Sequence, residues 1–346
     1  AAARGWFERA SKLGNPHAQY QLAKMILDAP SSTPEQTAQA LEWLTKAAET
    51  GQDCAQYALG KIYRDGQGVE KDIQKAVALF TLAATKENSF AAFALGKLYL
   101  AGDAALPRDP AAALKWLTYA AELGNQFAQY RLGKLLLKGD DGIPKDVITA
   151  IRWLTAAAKQ ENGYAEYALA LVYLTGEDAP KDSVKALSLL KRSAGRGNQF
   201  AQYRLGKLLL QGEDAPKDVK AAIRWLTAAA EQGNQYAQYA LGKLYLLGKE
   251  VPKDRSSAIK WFQLAADQGN EYAQYFLKHM DDRLGQPPVA AVISLFHHLA
   301  NIFQEQNQPP PSGGVRVAVD RKLLRKIKAK KIAQGHKADD HEPEMQ

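Results

Sequence analysis

Residues 234–269 read NQYAQYALGKLYLLGKEVPKDRSSAIKWFQLAADQG, and this stretch holds one complete structural unit. Asn234 is a helix N-cap by type, and Ala237, Leu241, Leu244 and Tyr245 follow at the i, i+4, i+7, i+8 spacing of one helix face. Gly248 ends that first helix, called here helix A. After Val251-Pro252-Lys253, Asp254 caps a second, helix B, whose apolar stripe is Ala258, Trp261, Phe262, Ala265 and Ala266. Gly269 stands at the position beyond its end, where a left-handed residue closes a helix. Two amphipathic helices of this length cannot bury their apolar faces alone, so the unit needs neighbours.

The neighbours are in the same chain. The alanine at position 237 recurs as Ala18, Ala55, Ala91, Ala128, Ala165, Ala201 and Ala273, at intervals of 36 or 37 residues. The Asp cap recurs as Asp72, Asp109, Asp146, Asp182 and Asp218, and only the linker before Pro34 lacks it. A fixed period of this size predicts an all-α, right-handed α/α solenoid. All six tryptophans (Trp6, Trp43, Trp116, Trp153, Trp225 and Trp261) share one register of helix B, with Leu79 and Leu189 in the other two units. Small residues recur in helix A as Gly60, Gly96, Gly133, Gly206 and Gly242. The expectation is that each large ring seats against a glycine, and that Trp225→Ala costs about 3–5 kcal/mol.

The unit resembles the Sel1-like repeat, an α/α relative of the tetratricopeptide repeat. The best-matching linker is Asp65-Gly66-Gln67-Gly68-Val69-Glu70-Lys71-Asp72, followed by Lys75-Ala76, together with the Leu-Gly pair of helix A. The resemblance covers roughly residues 1–281 and implies a non-catalytic protein-interaction scaffold. It also implies that helix A faces the concave side. Secreted members of the family often carry a cysteine pair in each repeat. Here Cys54 is the only cysteine, which favours a cytoplasmic protein and excludes an intramolecular disulfide.

Organisation follows from the pattern. Residues 1–283 form the repeat array, which opens mid-repeat, as expected of a segment of a longer protein. Residues 287–306 read as a capping helix, 307–319 as a Pro/Gly linker, and 320–346 as a basic helix followed by a disordered end. The tail cations Arg321, Lys322, Arg325, Lys326, Lys328, Lys330 and Lys331 are a candidate nucleic-acid contact, electrostatic and weakly sequence-specific because no aromatic residue is interleaved. An acidic partner, an anionic membrane or plain solvation fits the same charge. The run Asp320-Arg321-Lys322-Leu323-Leu324-Arg325-Lys326-Ile327-Lys328, with the stretch from Lys331 to His341, resembles the C-terminal end of plasmid-mobilisation relaxases of gut Firmicutes. Those proteins place such repeats after a relaxase domain. The resemblance implies that this chain is their C-terminal repeat region. A relaxase needs a tyrosine nucleophile and a histidine cluster holding a metal; no such cluster is present in this sequence, so no catalytic residue is carried over. The alternative is a stand-alone Sel1-like adaptor in signalling or host interaction.

The 346 residues are 46% hydrophobic and 24% charged, with a net charge of +8, which fits a globular chain and permits acidic partners without requiring them. No apolar run reaches the length of a membrane span. No nucleophile–base pair, phosphate-binding loop or metal-ligand cluster emerges, so neither catalysis nor a cofactor or metal is expected. His297 and His298 are adjacent on a helix and point about 100° apart. Cys54 occupies a slot held elsewhere by Phe90, Phe127, Tyr164, Phe200, Tyr236 and Tyr272, so a packed thiol is expected rather than a nucleophile. The acids Asp140-Asp141, Glu177-Asp178 and Glu213-Asp214 recur along one linker edge. The following Lys145, Lys181 and Lys217 are expected to offset them, and the edge is a candidate dock for a basic segment such as the chain's own tail.

Positions that vary between units are free to serve a partner. Three and six residues beyond each anchor alanine lie Arg131 and Lys134, Arg204 and Lys207, and Ala240 and Lys243. With Tyr130, Tyr203 and Tyr239 beside them, Tyr130, Arg131, Lys134, Tyr203, Arg204, Lys207, Tyr239 and Lys243 form the candidate groove for a protein partner. Inter-repeat packing is the other role open to these tyrosines.

Overall fold

A computed structural model describes residues 2–29, 33–139 and 142–280 of the chain. They form sixteen helices and belong to one compact unit, Ala1–Met280. The expected capping helix at 287–306, the linker and the basic tail lie outside the described residues.

After α1 (Ala2–Lys12), a B helix, the even-numbered helices are A helices: α2 (Pro16–Leu27), α4 (Asp53–Asp65), α6 (Ser89–Ala101), α8 (Gln126–Lys138), α10 (Gly163–Thr175), α12 (Gln199–Gln211), α14 (Gln235–Leu247) and α16 (Glu271–Met280). The B helices are α3 (Pro34–Glu49), α5 (Ile73–Ala84), α7 (Pro110–Glu122), α9 (Val147–Lys159), α11 (Ser183–Gly195), α13 (Val219–Glu231) and α15 (Arg255–Asp267). Each A helix packs most extensively on its own B helix and then on the B helix before it, and contact beyond sequence neighbours is sparse. That is the nearest-neighbour connectivity of an α/α solenoid.

The caps form as their residue types dictate. Each of the six linker aspartates accepts a hydrogen bond from the backbone N–H three residues on. At Asp146 the Thr149 side chain and backbone N–H hold the carboxyl below the usual carboxylate range. Asn15, Asn88, Asn125, Asn162, Asn198 and Asn234 cap their A helices on the anchor alanine N–H. Where the aspartate is missing, Thr33 and Gln36 make a reciprocal capping box at the start of α3. The residue four before each anchor is left-handed, and glycine holds it in most units. Glu87 and Glu161 adopt φ of 63° and 65° there.

The core corrects one expectation. The residue against each helix A glycine is not the tryptophan but the one after it. A Cβ on Gly133 would lie 2.6 Å from Leu154 Cγ, one on Gly206 2.7 Å from Leu226 Cγ, and one on Gly242 2.6 Å from Phe262 Cδ1. Phe80 and Leu117 hold the same place against Gly60 and Gly96. These five side chains are fully buried. Of the tryptophans, Trp153 is buried, Trp43, Trp116, Trp225 and Trp261 are half-buried, and Trp6 is exposed. The gap left by a glycine admits a leucine or a single phenyl ring. The wider indole turns about 100° aside and lies against the seam between units, with Arg152 over the Trp153 ring at 4.8 Å and Lys115 over Trp116 at 5.9 Å.

Depth therefore orders two adjacent substitutions. Leu226→Ala is expected to cost about 2–5 kcal/mol, and Trp225→Ala distinctly less, in urea melts of the full chain. The reverse order would return the tryptophan to the core register.

Candidate functional site

Helix A buries one side against its B helices and presents another. Beside the buried side lie the residue before each anchor, which is the most open, and those two, three and six after it, most of them half-buried and some, such as Ala94 and Tyr239, buried. The first two of these slots carry aromatic rings that meet between units. Tyr57 approaches Phe90 with ring centroids 6.2 Å apart, Phe93 approaches Phe127 at 6.4 Å, and Tyr130 approaches Tyr164 at 6.0 Å. Tyr167–Phe200, Tyr203–Tyr236 and Tyr239–Tyr272 continue the ladder at 6.3, 6.1 and 6.0 Å. The candidate groove residues Tyr130, Tyr203 and Tyr239 thus bind the next unit. Burial pushes the Tyr203 phenol up to about 12 and raises that of Tyr239 as well. The exposed rings are their partners: Phe127, Tyr164, Phe200 and Tyr236 each leave 42–54% of their area open.

The cations stand beside this ladder. Burial, followed by repulsion from neighbouring cations, lowers the ammonium pKa of Lys134, Lys207 and Lys243. The charges acting on these three lysines are Arg131 and Lys138, Arg204, and Lys207 and Lys249, all positive. Lys97, on α6, carries the same kind of shift and feels one carboxylate, Asp65, which Arg64 already holds through two hydrogen bonds of 2.7 Å. The Nε atoms of Arg131 and Arg204 are shielded from solvent and have no hydrogen-bond partner among the described residues. In α10 the same slots hold Ala168 and Leu171, so the positive strip is interrupted once.

The residue after each anchor serves stacking. Gln56, Gln129, Gln202 and Gln238 donate through Nε2 to the carbonyl eight residues earlier, on the preceding B helix, at 3.0–3.1 Å. Gln129, Gln202 and Gln238 then accept, through Oε1, from Gln160, Gln232 and Gln268 at 2.7–2.9 Å. Two units depart at both positions, with Ala92 and Leu123 in one and Glu166 and Arg196 in the other. Glu166 is fully buried, with Arg192 Nη2 at 2.5 Å from Oε1 and Arg196 Nε at 3.4 Å from Oε2. These contacts are ion pairs by distance, too bent to be hydrogen bonds. Arg192 Nη2 also donates to the Ala158 carbonyl, the place a glutamine would reach.

The linker edge is neutralised differently from expectation. Each lysine reaches forward to the next linker rather than to its own: Lys71 to Asp103 and Lys181 to Asp214 at 2.8 Å, Lys145 to Asp178 at 2.5 Å, and Lys217 to Glu250 at 2.8 Å. Such half-exposed pairs contribute about 0–1 kcal/mol each, and Asp178 and Asp214 already have cations. Asp140, Asp141 and the tail cations Arg321, Lys322, Arg325, Lys326, Lys328, Lys330 and Lys331 lie outside the described residues. Burial, then the Asp53 carboxylate, pushes the Cys54 thiol up, which keeps it protonated and unreactive near neutral pH. Among the described residues no three His, Cys, Asp or Glu side chains gather as a metal site, and no helix is long and apolar enough to cross a membrane.

The Sel1 repeat matches this chain eight times, at residues 1–15, 16–51, 55–88, 89–125, 126–162, 163–198, 199–234 and 235–270, and the chain belongs to the Sel1 repeat family. It is similar to c5321, a protective antigen present in uropathogenic Escherichia coli strains that displays an SLR fold. That crystal structure is 35% identical over 82% of this chain with a TM-score of 0.69. This chain spans 60% of the length of that one. A Sel1 repeat protein from Oxalobacter formigenes is 30% identical, covering 66% of this chain and 94% of its own, with a TM-score of 0.61. No curated protein matches the sequence. Proteins of this repeat family are generally non-catalytic protein-interaction scaffolds.

The charged Glu166–Arg196 pair stands in the register of the Gln–Gln pairs, which makes a double-mutant cycle informative. Arg196→Gln alone is expected to destabilise by about 1–3 kcal/mol, because it strips a buried carboxylate of one cation. Glu166→Gln added to it should recover most of that loss in urea melts. Strictly additive effects would show that the two side chains are not coupled.

Proposed function

We propose that this repeat array is a binding scaffold whose partner is a polypeptide laid along the A helices. The observation that carries the reading is the division of helix A. Its alanines, glycines and glutamines are consumed by stacking, while cations and exposed ring faces repeat along the other side. A surface of this kind presents many contacts to one extended ligand at regular intervals. In this proposal the array at 1–283 and the segments at 287–306, 307–319 and 320–346 act together as one scaffold in the cytoplasm. In the narrower form of the proposal the chain is the C-terminal repeat region of a plasmid-mobilisation relaxase. Its basic tail then holds DNA or the transfer machinery while the array holds a protein. The wording of residues 320–341 supports that form. The likeness to a bacterial protective antigen favours a second form, a stand-alone adaptor in host interaction.

A random peptide library selected on the full chain tests the array. Enriched peptides should lose binding to Lys134→Glu/Lys207→Glu and keep it with Lys159→Glu/Lys191→Glu on the B helices. Peptides indifferent to the first pair would move the binding face elsewhere. The tail is tested by fluorescence anisotropy of labelled single-stranded and duplex DNA with residues 1–346 and 1–311 across a salt series. Tail-dependent binding should fall with a log–log slope of roughly 0.9 per phosphate neutralised on duplex. Equal behaviour of the two lengths would remove DNA from the tail's role.

A further inference from the structure

The presented side of the A helices carries a pattern more specific than its net charge, and the inference below rests on the reading of that side as the peptide-binding face. Arg131 and Lys134 on α8 form one cationic group; Arg204 and Lys207 on α12 form a second, extended by Lys243 on α14. Between them α10 offers Ala168 and Leu171, both half-buried, beside the exposed ring of Tyr164. Across α8, α10 and α12, one apolar step therefore separates two cationic groups. Arg131 and Arg204 are half-buried, one in each cationic group, and a carboxylate is the group that pairs best with a guanidinium.

Spacing sets the ligand's length scale. Consecutive A helices meet through rings about 6 Å apart rather than by direct packing, so they stand roughly at or a little beyond the 8–10 Å of packed helices. An extended chain advances about 3.3 Å per residue, so one unit matches roughly three to four ligand residues. We propose that this face recognises an extended peptide in which two acidic groups flank one apolar residue, each about three to four residues away. The apolar side chain sits over Ala168 and Leu171, and the carboxylates meet Arg131 and Lys134 on one side and Arg204 and Lys207 on the other. A nucleic-acid strand fits less well. Its phosphates are evenly spaced, and those crossing α10 would lie over alanine and leucine. The rings are also engaged with one another in the ladder, tilted at about 6 Å, which leaves less of each free to stack on a base.

The test uses the full chain and three labelled peptides in anisotropy titrations at physiological salt. The first has paired glutamates on both sides of a central leucine, the second has glutamate in place of that leucine, and the third has glutamine in place of every glutamate. The leucine-centred acidic peptide should bind at least about tenfold more tightly than either of the others. Leu171→Lys, which installs the residue most other units carry, should erase or invert its advantage over the uniformly acidic peptide. Lys134→Glu/Lys207→Glu should abolish binding, with an unchanged circular dichroism melt showing that the fold is kept. Equal binding of the leucine-centred and uniformly acidic peptides overturns the pattern. So does stronger competition from an oligothymidylate of matching length. Glutamine peptides that bind equally well and respond to the charge reversal would overturn the acidic pattern and leave the A-helix face as a peptide site. Failure of all three peptides, alongside library peptides that do bind that face, has the same consequence.

Discussion

The close approach of helix A to helix B at a glycine governs the rest of the molecule. With no Cβ on Gly133, Gly206 or Gly242, the following B helix can press Leu154, Leu226 or Phe262 directly onto helix backbone. Adding one methyl group at these sites would force a contact below 3 Å, which packed side chains do not accommodate. This distance sets the tilt of each pair, and the pairs, stacked in order, bring the aromatic ring of one A helix within about 6 Å of the next. The ladder, the cations beside it and the apolar gap at α10 all inherit their spacing from that contact. In the remaining units alanine takes the place of glycine, as Ala170 does, and leucine at 190 fills the same depth.

The period, the two helices per unit and their caps were legible from residue types alone, because capping is local chemistry. An aspartate or asparagine ahead of an apolar stripe has few other uses, and each acts as its type dictates. The side of helix B that faces inward was not legible. Tryptophan and the residue after it both lie on the apolar stripe, and size suggested the wrong one. Depth is decided by the width of the gap, which depends on the partner helix. The linker lysines failed for a related reason: proximity in sequence pointed to their own linker, whereas stacking brings the next linker's carboxylate closer. Of the candidate groove, Arg131, Lys134, Arg204 and Lys207 lie along one strip of the A helices, beside the aromatic ladder. The tyrosines proved to be ladder rungs. The rings before the anchors carried a visible signal, an aromatic residue after Gly-Asn-x at 127, 200, 236 and 272, but it was read only as the slot of Cys54.

Stacking and recognition use different atoms of the same helix. The alanine, glycine and glutamine positions vary little between units because each touches backbone at close range. The slots three and six beyond the anchor vary more, holding arginine or alanine at the first and lysine or leucine at the second in α8, α10, α12 and α14. Burial lowers the readiness of the lysines there to hold a proton, and their cationic neighbours add to the effect. An incoming carboxylate would relieve both, so the strip is poised electrostatically toward negative ligands.

The Glu166–Arg196 pair has a consequence for assembly. Helices α8 and α12 are identical in all but their final residue, and α9 closely resembles α13. A chain built of such interchangeable parts can skip a unit while folding, with an A helix settling on the B helix of the wrong repeat. Glutamine pairs would tolerate that error, since any glutamine can bond to any other. A buried carboxylate does not. If α10 docked on α13, Glu166 would meet Gln232 and sit in the core with neither Arg192 nor Arg196 beside it. The charged pair thus disfavours that one misassembly, the docking of α10 on the B helix of the next unit.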